Sequence, residues 1–560
     1  MNPTTTSTLP DDALKIFGDA LVAAVAARYP DAPAVTVAFE APRNPDFGDA
    51  ATNVAFGLAK FARAKPDDIA AALIADARAA EPRLDALFSA IDPVAGFVNV
   101  RLAPACWQGL VATILRDGAR FGEFPKNGKR ISLEYGSANP TGPLVVVQGR
   151  TLSIGETLAN AMRYCGYDVF TEWIINDAGN QLDNLGRSLY ARYRQRFDAA
   201  FPFPEEGYPG DYLLPLAERI AENDGEKWVA ADEAEWLPYF GKFGRDALVA
   251  DQQATAIRFG VHYDLWQSEK ELHENGSVAA GLARLTELGY TYERDGATYF
   301  KATAFGDDKD RVLVRTDGRP TYVLPDVAYH NEKLRRADRV IDILGPDHHG
   351  YIDRIKGIAS ALGYAGKLDV LIAQQITLMR GGEEVNMSKR AGHIVTLADI
   401  IDEVGVDAAR FFFVMLAIES PLTFDLALAK EKSLENPVYY VQYGHARIAS
   451  VLRNADDADV EAARSGSGIE ALVAPAELSL ARRLADLPRT VAGVAEHEAP
   501  HRLARYARDV ASDFHSFYTE CRILVEDVPT RRARLALCIA TKTVLARVLG
   551  LLGVSAPETM

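Results

Sequence analysis

Cysteine is scarce in this chain of 560 residues, with only Cys106, Cys165, Cys521 and Cys538, and none stands at a metal-ligand spacing from another. That excludes a disulfide scaffold or a cysteine zinc site and predicts buried thiols in a reducing cytoplasm. Long apolar runs are absent too: "FFFVMLAI" at Phe411 is among the longest, far short of the ~20 residues that span a bilayer. The N-terminus, "MNPTTTSTLPDDALK", has no apolar signal region. No membrane association is expected. Internal repeats and low-complexity segments are missing, which removes solenoids and extended disorder. Positive charge is in deficit, with a net charge of −16, so the chain does not coat nucleic acid wholesale. A local basic face is still possible. Residues 499–550 contain Arg502, Arg505, Arg508, Arg522, Arg531, Arg532, Arg534, Lys542 and Arg547 against only Asp509, Asp513, Glu520, Glu526 and Asp527.

What is present is a soluble globular composition, 48% apolar and 25% charged, in a chain long enough for about three or four domains. Residues 1–115 mix helical patterns with short strand patterns such as "AVTVAFEA" and "AGFVNVRL". Asp49 is placed to cap a helix beginning after Gly48, and Pro66 to open the next. Residues 116–425 alternate strand and helix, with "RISLEYG", "DVFTEWI", "RVIDILG" and "KLDVLIAQQITLM" as strands. That order predicts an α/β parallel sheet covered by helices, its ligand site at the strand carboxyl ends. An insertion near 196–260, rich in aromatic and acidic residues, interrupts it. From 426 to 560 the pattern is helical only, with "NADDADVEAARSGSGIE" as a loop.

Four stretches carry chemistry. "SANPTGPLVVVQGR", Ser137 to Arg150, links a strand to a helix through a Gly/Pro turn, an arrangement that offers free backbone N–H groups to an anion. Yet Val145, Val146 and Val147 stand where a phosphate would approach. "GGEEVNMSKRAGHIVTL" sets Ser388, Lys389 and Arg390 on a loop after a glycine turn, where a lysine can neutralise charge on a transferring phosphate. In "GPDHHGYIDRIK", Gly345 permits close backbone approach and Asp347 can accept from ribose hydroxyls, while His348 and His349 suit positioning better than metal ligation. In "GRPTYVLPDVAYH", Tyr322 and Asp326 share a helical face, an aromatic wall beside a carboxylate that suits a planar cation.

In this order the blocks resemble the class I arginyl-tRNA synthetases over nearly the whole chain. "SANPTGPL…GR" is similar to that family's first signature, in which Pro-Thr-Gly-Pro-Leu ordinarily precedes His-Val-Gly-His, and "NMSKRAGHIVTL" to its second, ordinarily Lys-Met-Ser-Lys-Arg. "INDAGNQLDNLG", "GPDHHGY", "LENPVYYVQYGHARI" and "FHSFYTECRIL" resemble further family blocks, and "NPDFGDAATNVAFGLAK" resembles the N-terminal domain that contacts the tRNA elbow. The resemblance implies a Rossmann-like class I catalytic domain at 116–425. Flanking it would be an α/β N-terminal domain at 1–115 and an all-helical anticodon-binding domain at 426–560. It implies ATP-dependent activation of L-arginine and transfer to its tRNA, with ATP as substrate, Mg2+ accompanying it, and no protein metal site. A monomer in the cytoplasm is expected.

By matched position, Ser137 and Asn139 would hold the arginine α-amino group, and Tyr322 and Asp326 its guanidinium. Asn99 would reach in from the N-terminal domain, and Glu134 and Gln374 would join the same pocket. Gly142, Gln148, Gly345, Asp347, Met387 and Lys389 would line the ATP site, with Gln148 and Lys389 acting in catalysis. Arg531, Arg532 and Arg534 would meet tRNA. The departures concentrate on ATP. The family histidines fall at Val145 and Gln148, its glycine at Val147, and the leading lysine of the second signature at Asn386. Gln148 keeps a donor, Val145 has none, and Val147 is expected to fill space the adenine needs. The alternative is a relative that binds arginine or tRNA but has lost efficient use of ATP.

Overall fold

The computed structural model describes residues 8–42, 44–385 and 395–560. The N-terminal unit begins with the helix Pro10–Arg28, which has Asp11 and Asp12 in its first turn and Arg28 in its last, each sign matched to the helix dipole. Its small antiparallel sheet comprises β1 (Ala50–Thr52), β2 (Phe88–Val94) and β3 (Phe97–Leu102), ordered β1-β3-β2. Pro66 opens the helix Pro66–Ala80, as its missing N–H allows. Two local expectations fail here. "AVTVAFEA" forms no strand and contributes only the bridge of Glu40 to Ala51. Asp49 caps no helix: its carboxylate accepts from Leu102 N at 2.7 Å and pairs with Arg482, tying this unit to the C-terminal helices.

The central sheet is built from β4 (Arg130–Ala138), β5 (Asp168–Ile175) and β6 (Leu265–Ser268). After a separate antiparallel sheet of β7 (Thr291–Arg294), β8 (Ala297–Phe300) and β9 (Arg311–Val314), the chain returns as β10 (Arg339–Leu344) and β11 (Leu368–Ile372). The spatial order is β11-β10-β4-β5-β6, with every pairing parallel. The chain winds one way from β4 and restarts on its other side at β10, so a crevice opens outside the carboxyl ends of these two strands. The helix Val146–Tyr164 packs so closely beneath that a Cβ on Gly155 would lie 2.0 Å from the Tyr135 ring. Only glycine fits there.

"KLDVLIAQQITLM" is not one strand. It breaks at Ala373–Gln375, and its second half becomes β12 (Ile376–Arg380), flanked in another sheet by β13 (Glu383–Glu384) and β14 (Leu422–Asp425). Arg150, fully buried, holds the break by donating to the Gln374 carbonyl at 2.9 Å and to those of Ala417 and Ser420 at 3.0 and 2.7 Å.

The C-terminal helices are cut by their capping residues. Asn436, Asp456 and Asp527 each accept from a backbone N–H in the first turn of the helix that follows. Half of the expected loop "NADDADVEAARSGSGIE" is therefore helix, Asp457–Arg464. The helix Val528–Leu552 is long and apolar enough to cross a membrane by composition, yet 67% of its apolar window is buried in the protein. It is a core helix. Buried Arg410 docks this unit onto the catalytic domain, donating to Leu552 O at 3.0 Å and Phe259 O at 3.1 Å. Gly553, at φ +68, makes room for that guanidinium, which a Cβ would meet at 2.4 Å.

Candidate functional site

The Gly/Pro turn closes over itself. Val145 has no side-chain acceptor for the first turn of the helix Val146–Tyr164; Gln148 reaches back instead, its Oε1 accepting from Val145 N at 2.8 Å. The Nε2 of Gln148 donates to Ser137 O at 3.1 Å. The donor expected to meet phosphate is thus engaged in holding the turn. Across it, Leu397 N donates to Leu144 O at 2.8 Å, Val146 N to Val395 O at 3.3 Å, and Val145 bridges Thr396. The backbone after the second signature is therefore stitched to the first. Asn386, Met387, Lys389 and the rest of 386–394 lie outside the described residues.

Facing the turn is the insertion. Gln252, buried on the helix Glu233–Arg258, donates to the carbonyls of Asn139 at 3.1 Å and Gly142 at 2.8 Å, and Tyr212 OH to that of Thr141 at 2.6 Å. Between them lies a cavity of about 460 Å³, whose lining includes Asn139, Gly142, Val145, Gln148, Tyr208 and Tyr212. Val147 is not in that lining. It packs, partly buried, against the hydrophobic core. Val145 is the valine that faces the cavity.

The other end of the crevice is acidic. Asp326 lies in the first turn of the helix Val323–Arg336 and accepts from the Tyr351 hydroxyl. Glu269 follows the carboxyl end of β6. Burial pushes the Asp326 carboxyl up to about 6, with the Tyr351 hydrogen bond opposing. Burial likewise pushes Glu269 up to about 7, followed by repulsion from Asp326 and Asp177. Asp326 thus raises the cost of ionising Glu269, and two carboxylates so placed favour a cation between them. The Arg354 guanidinium stands 5.6 Å from the Tyr322 ring and 5.1 Å from that of Tyr351, so the aromatic pair already accommodates one planar cation. Tyr322 itself is 62% exposed at the mouth.

Beneath this end lies a buried charge network. Lys333, wholly buried, donates to Glu134 at 2.5 Å and also to Asp342; His330 joins Asp342 at 3.0 Å and the Asp326 carbonyl at 2.8 Å. Burial would lower the Lys333 pKa, but Asp342 and Glu134 outweigh it and hold the ammonium charged. Glu134 is therefore a supporting group under the pocket, occupied by Lys333, and not a free acceptor within it. Asp177 fixes the neighbouring edge, accepting from Arg245 at 2.6 Å, Ser268 Oγ at 2.8 Å and Lys270 N at 3.0 Å.

Gly345 and exposed Asp347 follow β10 at the same carboxyl edge, and Gln374 follows β11 with its amide 3.4 Å from His349. No protein atom comes within 4 Å of a Cβ built on Gly345, whose extended backbone suits any residue, so neither packing nor conformation demands glycine there. Asn99 stands buried on β3, opposite Ala51 and Asp92 in the N-terminal sheet. Arg531 and Arg532 both pair with Asp459 at 2.7 Å, and Arg534 pairs with Glu477 at 2.7 Å. These three arginines knit helices together and are not a free basic face. The helical unit instead has a hollow of about 790 Å³, whose lining includes Tyr443, Arg447, Arg453, Tyr518, Arg522 and Met560. Arg447 lies 4.2 Å over the Tyr518 ring. Sequence reasoning missed Glu269 and this hollow; the one available signal for Glu269 was an acidic residue ending a strand, "LWQSEKE".

A parallel sheet with its crevice at β4 and β10, joined to a helical C-terminal unit, defines a class I aminoacyl-tRNA synthetase fold, and the family descriptions that match agree. These are "Arginyl tRNA synthetase N terminal domain" over residues 13–102, "tRNA synthetases class I (R), catalytic domain" over 242–412, and "DALR anticodon binding domain" over 441–560. The arginine–tRNA ligase of Syntrophotalea carbinolica is 44% identical over 93% of this chain and 94% of its own. That of Moorella thermoacetica is 45% identical, with 93% of each covered. A solved structure described as a putative arginyl-tRNA synthetase from Campylobacter jejuni superposes with a TM-score of 0.76 at 29% identity, over 82% of this chain and all of that one. The chain belongs to the arginyl-tRNA synthetases, the arginine–tRNA ligases. Nothing in these comparisons favours a relative reduced to binding alone.

Proposed function

We propose that this chain catalyses both steps of arginine–tRNA ligation, with an ATP site whose polar contacts differ from the family pattern. The observation that carries the reading is the Asp326 carboxylate beside Tyr351, at the start of its helix, with Glu269 at the end of β6 near enough to be repelled by it. A guanidinium donates paired, charge-assisted bonds to carboxylates that the ammonium of ornithine cannot reproduce. Ser137 and Asn139, at the end of β4, are assigned to the α-amino group, and Gln374 to the same pocket. The arginine carboxylate attacks the α-phosphorus of ATP and pyrophosphate leaves; a hydroxyl of the tRNA's terminal ribose then attacks the adenylate's carbonyl, and AMP leaves. Asp347 is assigned to the ATP ribose and Lys389 to its phosphates, and Mg2+ enters with the nucleotide.

Three parts divide the work: residues 1–115 and 426–560 hold tRNA, and 116–425 the chemistry. Phe97, Asn99 and Arg101 share one face of β3, with the exposed Phe56 ring 5.1 Å from Phe97. The stacking ring of Phe97 and the cation of Arg101, both exposed with Asn99 buried between them, suit an unpaired base of the tRNA. The tyrosine- and arginine-lined hollow of the helical unit is assigned to the anticodon on the same grounds. On this reading the chain works as a cytoplasmic monomer. Arginine-dependent ATP–pyrophosphate exchange, measured with and without tRNA, tests the reading. Exchange that requires L-arginine is expected; none under either condition, with arginine still binding, overturns it.

A further inference from the structure

Pairing within the protein removes Arg531, Arg532, Arg534, Lys542 and Arg547 from the basic segment, for each meets a carboxylate. What is left is concentrated on one helix, His501–Glu520. Arg502, Arg505 and Arg508 recur every third residue along it, all three exposed, and none has an ion-pair partner among the described residues. They flank two adjoining surface hollows. The lining of one, of about 580 Å³, includes Arg505, Arg508 and Tyr440 with Glu435 and Asp509; that of the other, of about 290 Å³, includes Arg489, Arg502 and Arg505 with Asp486 and Asp509.

The position of this helix gives the row its meaning. At its N-terminal end, Glu419 lies near enough to act electrostatically on both His501 and Arg150, the residue that holds the Gln374 backbone at the catalytic edge. At its C-terminal end, Tyr518 and Thr519 line the helical unit's hollow. Its 20 residues span roughly 30 Å at ~1.5 Å per residue. The row thus lies on the path between the proposed anticodon hollow and the catalytic crevice, in a protein whose overall charge repels polyanions.

We propose that Arg502, Arg505 and Arg508 form a phosphate-binding row that seats the RNA backbone between the anticodon hollow and the catalytic edge. It rests on the tRNA reading above. Fluorescence-anisotropy titration of tRNA across a salt series tests it, comparing the starting protein with Arg502→Gln/Arg505→Gln/Arg508→Gln. Each phosphate contact contributes about 0.7–0.9 to the slope of log K against log salt, so the triple variant should lose about two to three units of slope. Arg505→Gln alone should lose about one. A control of equal charge change around the separate β7–β9 sheet, Arg284→Gln/Arg294→Gln/Arg319→Gln, should keep the slope. An unchanged slope in the first triple variant, or an equal change in the control, overturns the row. If the starting protein binds no tRNA at any salt concentration, the functional reading itself falls first.

Discussion

The two ends of the crevice are built on opposite principles. At the arginine end, the charges beneath the pocket are buried and answered: Lys333 by Glu134 and Asp342, Asp177 by Arg245, Asp326 by Tyr351. At the ATP end, the turn holds itself together with backbone bonds and one glutamine amide, and Val145 presents an isopropyl group to the cavity. Selectivity for a cation requires fixed, costly charge, whereas a turn can keep its shape through its own backbone after losing a polar side chain. The difference teaches that the shape of a phosphate-facing turn survives changes that its electrostatics does not.

Breaking the arginine end at its base gives the largest effect. Lys333→Met leaves Glu134 and Asp342 buried without their cation, which should cost about 3–5 kcal/mol. Urea unfolding followed by tryptophan fluorescence reads it, and a loss below ~1 kcal/mol would mean that the network relaxes or takes up protons freely. Next comes the ATP end. Val145→His should raise the single-turnover rate of adenylate formation by ~10²–10³, the worth of one transition-state donor. An unchanged rate would show that the backbone already supplies that contact.

Removing one charge from the cation site is a smaller change. Asp326→Asn should weaken arginine binding by roughly 1.5–3 kcal/mol in calorimetry with tRNA present. The site's own titration is a milder version. The ionised carboxylates attract the guanidinium, and their raised values of about 6 and about 7 mean that arginine affinity falls as pH drops through that window. Binding at pH 6.5 should release protons, visible in buffers of different ionisation enthalpy; above pH 8 it should release almost none. Smallest is Val147→Gly, which should cost about 1 kcal/mol of stability as glycine in a helix. ATP affinity should not move; a gain would restore the steric role that the packing of Val147 argues against.

Turn chemistry made the first signature legible, because Gly/Pro clusters between a strand and a helix have few alternative meanings. The same reasoning failed at "KLDVLIAQQITLM", where β11 and β12 carry continuous apolar character across a break made by Arg150, a residue more than two hundred positions away. Asp49 fitted a helix cap locally but is claimed by Leu102 and Arg482. Glu269 was overlooked because its only local mark is the end of a strand. Its character comes from burial, and then from Asp326 and Asp177, which lie elsewhere in the chain.

By itself the sequence determined the order of strands, turns and helices, the identity of the motif blocks and the total of basic residues in the C-terminal segment. These depend on neighbours within a few residues, through backbone preference and side-chain period. Only the tertiary structure decided which of those charges are available. Arg531, Arg532 and Arg534 are consumed by carboxylates brought from 57 to 73 residues away, while Arg502, Arg505 and Arg508 are left facing water. A charge is free or spent according to what the fold places within about 4 Å of it, and that distance is not written in the order of the residues.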